Sequence, residues 1–450
     1  MQIPSNIFRE YDIRGIADTE LTDEVIEGLG RAVGTVLRRE KKQKISLGHD
    51  FRPSHKRLVQ ALLKGISSTG IDVIQLGLIP TPLLYFSVSY LNLDAGICIT
   101  GSHNPPEYNG VKIHFKDRPF FGTEIQGLYQ LMKAGDFEKG NGKLETAEII
   151  KPYREYVRKI FNFKKKIKVV VDSGHGMGGI VAPDLFRDLG HEVIELYSNL
   201  DSTFPDHHPD PSEPKNLRDL QEKVLETKAQ LGIAFDGDAD RIGVVDEKGN
   251  IIAGDQLLLI YARAILKKKP GAVIIGDVKC SKLIYDDITK HGGKALMWKT
   301  GHSLIKAKMK ETHAELAGEM SGHMFFQDRW FGFDDAIYAG CRMLEIVDDT
   351  SDSVSSFLSD LPKTFSTPEI RVDCPDDQKF DLVKRAVLEF KKKYNVIDID
   401  GARVEFPDGW GLVRASNTQP VLVMRFEATT EKRLEEIRKI VEDQILQLSK

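Results

Sequence analysis

Three aspartates at alternate positions, Asp236, Asp238 and Asp240 in the run DGDADR, are the densest concentration of chemistry in the chain. Alternate side chains of an extended or tightly turned backbone point the same way, so this spacing aims three carboxylates at one hard cation. Gly237 and Ala239 leave the backbone room to turn, and Arg241, next in sequence, is a candidate for holding phosphate. The run lacks the later glutamate and flanking helices of an EF-hand. The plainer alternative is a solvated acidic turn.

Three further loops carry reactive side chains. TGSHNP, Thr100 to Pro105, sets Ser102 after a glycine and beside His103 at the exit of a strand-like run. A serine there needs a base or a prior covalent modification to act as a nucleophile, and the run does not match the GxSxG elbow of hydrolases. RASNTQP, Arg414 to Pro420, combines a guanidinium with Ser416, Asn417 and Thr418, a set of donors that can wrap phosphate oxygens. GEMSGH, Gly318 to His323, offers Glu319 and Ser321 to sugar hydroxyls. For each of the three, a turn serving only backbone geometry is the competing reading. SGHGMGG, Ser173 to Gly179, departs from the GxGxxG spacing of dinucleotide sites, and His207 and His208 lack a third metal ligand nearby in sequence.

The elements that must position these loops repeat. Strand-like and helical runs alternate from Ile45 to Thr100, from Lys168 to Phe235 and from Ala272 to Ala317, three times reading as a parallel βαβαβ pattern. Each unit's last strand opens into one of the polar loops. In open α/β sheets ligands gather beyond the carboxyl ends of strands, so the three loops are expected to face one cleft. The remainder, with a helix around Asp381 to Lys393, a strand Val421 to Phe426 and a closing helix Glu431 to Leu448, reads as a small α+β domain. The expected domains are residues 1–150 with the serine loop, 151–253 with the acidic loop, 254–365 with the sugar loop and 366–450 with the phosphate loop.

Composition narrows the class. The 450 residues include 63 Lys and Arg against 67 Asp and Glu, a net charge of −4 that argues against a general nucleic-acid or anionic-membrane binder. The first fourteen residues carry Arg9, Glu10, Asp12 and Arg14, and the longest apolar run, Leu257 to Leu266, is interrupted by Arg263. Neither a signal peptide nor a membrane span is expected, and the expected location is the cytoplasm. Four scattered cysteines read as reduced, packed thiols.

Taken in order, TGSHNP, DGDADR, GEMSGH and RASNTQP resemble the α-D-phosphohexomutase family in its phosphomannomutase/phosphoglucomutase branch. The resemblance spans the chain and takes in FREYDIRG at Phe8 to Gly15, YNGVKIHF at Tyr108 to Phe115, DVKCS at Asp277 to Ser281 and KTGHS at Lys299 to Ser303. It implies a four-domain, heart-shaped architecture of three mixed-sheet α/β domains and a C-terminal α+β domain. It also implies that Ser102 is carried as phosphoserine, with Mg2+ held by its phosphate and by Asp236, Asp238 and Asp240. A hexose phosphate would then be isomerised between its O1 and O6 esters through a hexose 1,6-bisphosphate, which also serves as activator.

By the same resemblance, His103, Lys112 and His302 line the reacting centre, with Lys112 or His302 for acid/base work and Arg241 for charge neutralisation. Arg14 and Lys279 orient the substrate, Arg414, Ser416, Asn417 and Thr418 hold its non-reacting phosphate, and Glu319 and Ser321 bind its O3 and O4 hydroxyls. Met320, where phosphoglucosamine mutases typically have Gln, favours glucose and mannose. The implied partners are hexose phosphates, with no nucleic acid or membrane, and a monomer suffices. The alternatives are a phosphoglucosamine mutase and a non-catalytic phosphosugar-binding protein.

Overall fold

A computed structural model describes residues 2–417 and 419–449. Its first sheet runs in the order Ile13–Ile16, Tyr108–Phe115, Ala95–Ile99, Lys44–His49, Asp72–Leu78, Leu144–Thr146. The second runs Ile251–Ile252, Ile242–Asp246, Leu231–Phe235, Lys168–Asp172, Glu192–Leu196, and the third Lys294–Trp298, Val273–Asp277, Leu316–Gly318, Met324–Phe326. Central strands such as Val169–Val171 and Ile97–Ile99 are buried, as continuous β-branched runs in helix-covered sheets require.

These sheets are mixed, where the repeat pattern alone reads as parallel. After each polar loop the chain returns antiparallel to the strand it has just left: Tyr108–Phe115 on Ala95–Ile99, Ile242–Asp246 on Leu231–Phe235, Met324–Phe326 on Leu316–Gly318. The connections are too short for a helical crossover, so reversal is the only pairing open to them. TGSHNP, DGDADR and GEMSGH are therefore topologically equivalent.

One continuous apolar core joins the first three units. It runs from the helix Thr81–Tyr90 through Ile150–Ile160 and Ala182–Asp188 to Gly254–Lys268 and Ala336–Asp348. At its centre the rings of Phe86, Tyr153 and Trp330 lie 5.3 to 6.0 Å apart, and the buried Tyr153 hydroxyl donates to the Asp335 carboxylate at 2.9 Å. The C-terminal sheet, order Phe365–Ser366, Val421–Ala428, Gly409–Ala415, Ala402–Phe406, Asn395–Ile397, has its own core under the helices Asp376–Lys391 and Glu431–Leu448. The first of these helices begins five residues before its sequence expectation, because Pro375 sits at the N-cap and Asp376 and Asp377 favour the first turn. Apolar contact between this domain and the third is confined to a small cluster around Val278, Trp410 and Leu412. Among the described residues no helix is long and apolar enough to cross a membrane.

Candidate active site

Ser102 sits at φ +48, a left-handed turn that lifts its side chain off the end of the strand Ala95–Ile99. The turn is pinned from below: Asp50 accepts from the Gly101 N–H at 2.9 Å, and the buried Arg52 donates to the Ser102 carbonyl at 2.8 Å. The Ser102 Oγ donates to Asp236 Oδ2 at 3.0 Å and lies 3.1 Å from His103 Nδ1. Gly237 makes this approach possible, since a Cβ there would fall 2.3 Å from the Ser102 carbonyl oxygen.

The three aspartates converge. Each offers one oxygen within 4.8 Å of the others, and all three are buried. Asp236 Oδ1 accepts from the backbone N–H groups of Asp240 and Arg241 at 3.0 and 3.1 Å. Asp238 accepts from Thr81 Oγ1, and Lys112 Nζ donates to Asp238 at 2.6 Å and to Asp240 at 2.5 Å. Asp238 Oδ1 nevertheless has no hydrogen-bond partner despite burial, and Asp240 Oδ1 meets only the His323 imidazole, Nε2 at 3.3 Å. Three buried carboxylates that converge, with one oxygen left unpartnered among them, are the donor set of a hard divalent cation, so these residues fit Mg2+. Burial first, then the charges of Asp240 and Asp238, push Asp236 well above the ordinary carboxylate range.

Cationic and imidazole groups ring the cluster. Burial opposes charge on Lys112, yet Asp238 and Asp240 outweigh it and hold the amine protonated. Burial, with Arg241, holds His103 well below its ordinary value, and burial, with Lys306 and Lys112, does the same to His302. His302 lies 3.8 Å from Asp334, whose other oxygen takes Lys306 at 2.9 Å. Arg241 faces Asp210 at 3.8 Å and His323 at 3.4 Å. Beside the cluster, His323 Nε2 meets Asp240 at 3.3 Å and its Nδ1 pairs with Glu319 at 2.8 Å; Glu319 also accepts from the Gly301 N–H at 2.6 Å, and Ser321 Oγ lies 3.1 Å from His323 Nδ1.

Residues of the RASNTQP run are held by hydrogen bonds of their own. Arg414 is buried and held by Asp400 at 3.0 Å, the Asn417 amide donates to Tyr11 Oη at 2.6 Å, and Ser416 accepts from the Gln419 N–H at 3.1 Å. Thr418 lies outside the described residues. Lys279 reaches Glu369 at 3.1 Å. Arg14 pairs with Asp12 at 2.5 Å on the strand Ile13–Ile16 beside Gly110. Met320 lies at the junction with the fourth domain, its Sδ 3.1 Å from Arg425 Nη1.

Several contributors escape sequence reasoning. His323 and Tyr11 stand inside quoted motifs, GEMSGH and FREYDIRG, and an imidazole beside Glu319 or a phenol beside Arg14 could have been singled out. Tyr11 bridges three domains, donating to the Thr300 carbonyl at 2.9 Å while accepting from Asn417. Thr81 and Arg52 carry no local signal, because they act only across folded distances of 157 and 50 residues.

The segment reaching Asp210 is tied down by histidines. His175 bonds Asp206 at 2.6 Å, and His207 bonds the fully buried Asp172 at 3.0 Å. Burial opposes charge on His207, but the hydrogen bond and charge of Asp172 push it up to about 9 from its ordinary 6.5. A raised folded-state value means the pair stabilises fully below pH 6.5 and is lost as pH rises through about 9. Stability of the wild type is expected to fall over this window by on the order of 1 kcal/mol more than that of His207→Gln, after allowance for solvent screening. Urea midpoints of both proteins at pH 6 and pH 9.5 check this, and parallel changes would contradict it.

The chain matches four successive family models. Residues 5–139, 151–249 and 253–365 match phosphoglucomutase/phosphomannomutase alpha/beta/alpha domains I, II and III, and residues 369–444 match the C-terminal domain. It is 45% identical over 447 residues to a phosphomannomutase/phosphoglucomutase of Pseudomonas putida, covering 99% of this chain and 96% of that protein. It is 44% identical over 441 residues to a phosphoglucomutase of Neisseria gonorrhoeae, covering 97% and 96%. The crystal structure of a phosphoglucomutase/phosphomannomutase family protein from Burkholderia thailandensis superposes with a TM-score of 0.94 at 41% identity, over 100% of this chain and 98% of that one. With all four domain models matched in order and relatives aligned nearly end to end, this chain belongs to the phosphoglucomutase/phosphomannomutase family.

Proposed function

We propose that the chain moves a phosphoryl group between O1 and O6 of mannose or glucose phosphate through phospho-Ser102 and a hexose 1,6-bisphosphate. The observation that carries this reading is Ser102 Oγ, 3.0 Å from Asp236 within the triple-aspartate cluster. In the first half-reaction the free hydroxyl of the sugar phosphate attacks the phosphorus on Ser102. The bond from phosphorus to Oγ breaks, a bond to the sugar oxygen forms, and the hydroxyl proton passes to a base. After the bisphosphate reorients, Ser102 takes the other phosphoryl group and the sugar oxygen it leaves is protonated.

Each residue has a part in this scheme. His302, neutral in its buried setting, is the base, and Lys112, held protonated, donates toward the transferring oxygens. His103 faces Oγ and, neutral, is placed to take the hydroxyl proton when Ser102 attacks the bisphosphate, and only in that protonated form to return it when Oγ leaves phosphorus. Arg241, fixed by Asp210, neutralises developing charge. Mg2+ held by Asp236, Asp238, Asp240 and the Ser102 phosphate supplies further neutralisation of the phosphoryl oxygens. Arg414, Ser416, Asn417 and Thr418 grip the non-reacting phosphate, Arg14 and Lys279 orient the substrate, and Glu319 and Ser321 take O3 and O4. Those hydroxyls are common to glucose and mannose, so a site gripping them and the phosphate accepts both sugars.

Initial rates on glucose 1-phosphate, mannose 1-phosphate and glucosamine 1-phosphate, with Mg2+ and a trace of the hexose 1,6-bisphosphate, test this. The first two are expected within about tenfold of each other, the discrimination one loosely contacted hydroxyl provides. Dominance of glucosamine 1-phosphate would move the chain to the amino-sugar reaction, and no turnover on any would favour a phosphosugar-binding protein.

A further inference from the structure

The loop that carries Lys279 exposes three successive carbonyl oxygens, those of Val278, Lys279 and Cys280, between the end of the strand Val273–Asp277 and the helix Lys282–Lys290. Buried carbonyls need donors, and here the donors come from another domain. Arg403 Nη1 donates to the carbonyls of Val278 and Cys280, both at 2.7 Å, and Arg425 Nη1 donates to that of Lys279. Arg403 is fully buried and lies flat on Trp410, 3.8 Å from the ring centroid. Glu427 fixes the arrangement by accepting from Trp410 Nε1 at 2.9 Å and from Ser281 Oγ at 2.8 Å.

All these side chains share one face of the C-terminal sheet. Register sets Arg403 and Arg425 on either side of Leu412, and Glu427 beside Trp410. Trp410, Leu412 and Arg414 alternate along a single strand and so point the same way. The face that grips the Lys279 loop therefore carries Arg414 at its cleft end. Among the described residues one small apolar cluster crosses this junction, and the guanidinium–carbonyl bonds share the polar contact with Ser281–Glu427, Lys279–Glu369 and Thr300–Asp400. Arg403 serves two carbonyls from one nitrogen, whereas Arg425 serves one, a bond that a lysine amine can also make.

We propose that Arg403 and Arg425 are positioning residues for the phosphosugar site: by holding the carbonyls of residues 278–280 they fix the backbone that carries Lys279, whose Nζ meets Glu369 of the fourth domain at 3.1 Å, so that Lys279 and Arg414 serve one site only when the fourth domain is seated. This rests on the mutase reading above. The wild-type rate on glucose 1-phosphate tests that reading by itself, and the variants then test the positioning role.

With that rate established, kcat and KM for glucose 1-phosphate are measured for Arg425→Met, Arg403→Met, Lys279→Met and the two Arg/Lys279 double variants. Each arginine variant is expected to raise KM about tenfold with kcat changed less than about threefold, and Arg425→Lys to recover most of the loss. In the Lys279→Met background either arginine change is expected to add less than about twofold to kcat/KM, because its target is already gone. Factors that multiply in the double variants, or an unchanged KM in the single ones, would overturn the proposal. Should either methionine variant not fold, the same cycle run with Arg425→Lys decides it, by whether that milder effect vanishes without Lys279 or persists.

Discussion

Ser102→Ala is expected to lose at least about a thousandfold in turnover of glucose 1-phosphate while still binding it, because the only covalent acceptor in the proposed scheme is gone. The cost to the fold is expected to be small. Alanine inherits the left-handed turn, whose backbone is held by Asp50 and Arg52 rather than by the hydroxyl. What is lost is the Oγ to Asp236 hydrogen bond, about 1 kcal/mol. Binding by calorimetry, the urea midpoint and the steady-state rate separate these effects. A normal rate in the variant would end the phosphoserine mechanism, and loss of binding together with the rate would point to a collapsed loop.

Asp238→Asn is expected to raise the Mg2+ concentration for half-maximal activity at least about tenfold and to lower the rate at fixed Mg2+ in step. Asp238 contributes an unpartnered buried oxygen to the cluster while its other oxygen takes Thr81 and Lys112. The amide keeps the shape and one acceptor but removes a full negative charge, so a hard cation loses attraction and Lys112 loses one of its two counter-charges. Partial recovery of the rate at high Mg2+ is the expected signature. An unchanged Mg2+ titration would remove Asp238 from the ligand set.

Much was legible along the chain because the chemistry is concentrated in short runs. DGDADR concentrates three carboxylates in six residues at a spacing that aims them at one point, where the fold does bring them together, and three strand-ending polar loops could be read together from the α/β pattern. The antiparallel return strands were harder to see. Tyr108–Phe115 mixes Lys112 and His114 into a strand whose polar side faces the site, which blurs the alternation that marks a half-buried strand. Met320, read in sequence as a mark of the glucose and mannose branch, agrees with the relatives found, and it lies at the junction of the third and fourth domains.

By itself, then, the sequence determined the local devices: the carboxylate triplet, the glycine-flanked serine, the Ser/Asn/Thr phosphate loop and the order of domains carrying them. Tertiary structure alone decided which groups meet. Ser102 and Asp236 are 134 residues apart, Thr81 and Asp238 157, Tyr11 and Asn417 406, and no local propensity encodes those contacts. The same holds for Arg403 and Arg425, ordinary strand residues in sequence that become clamps only when their sheet face is seated on a neighbouring domain. The physical reason is that motif chemistry depends on spacing along the backbone, whereas the charge state and aim of a buried group depend on the desolvation and partners that packing brings to it.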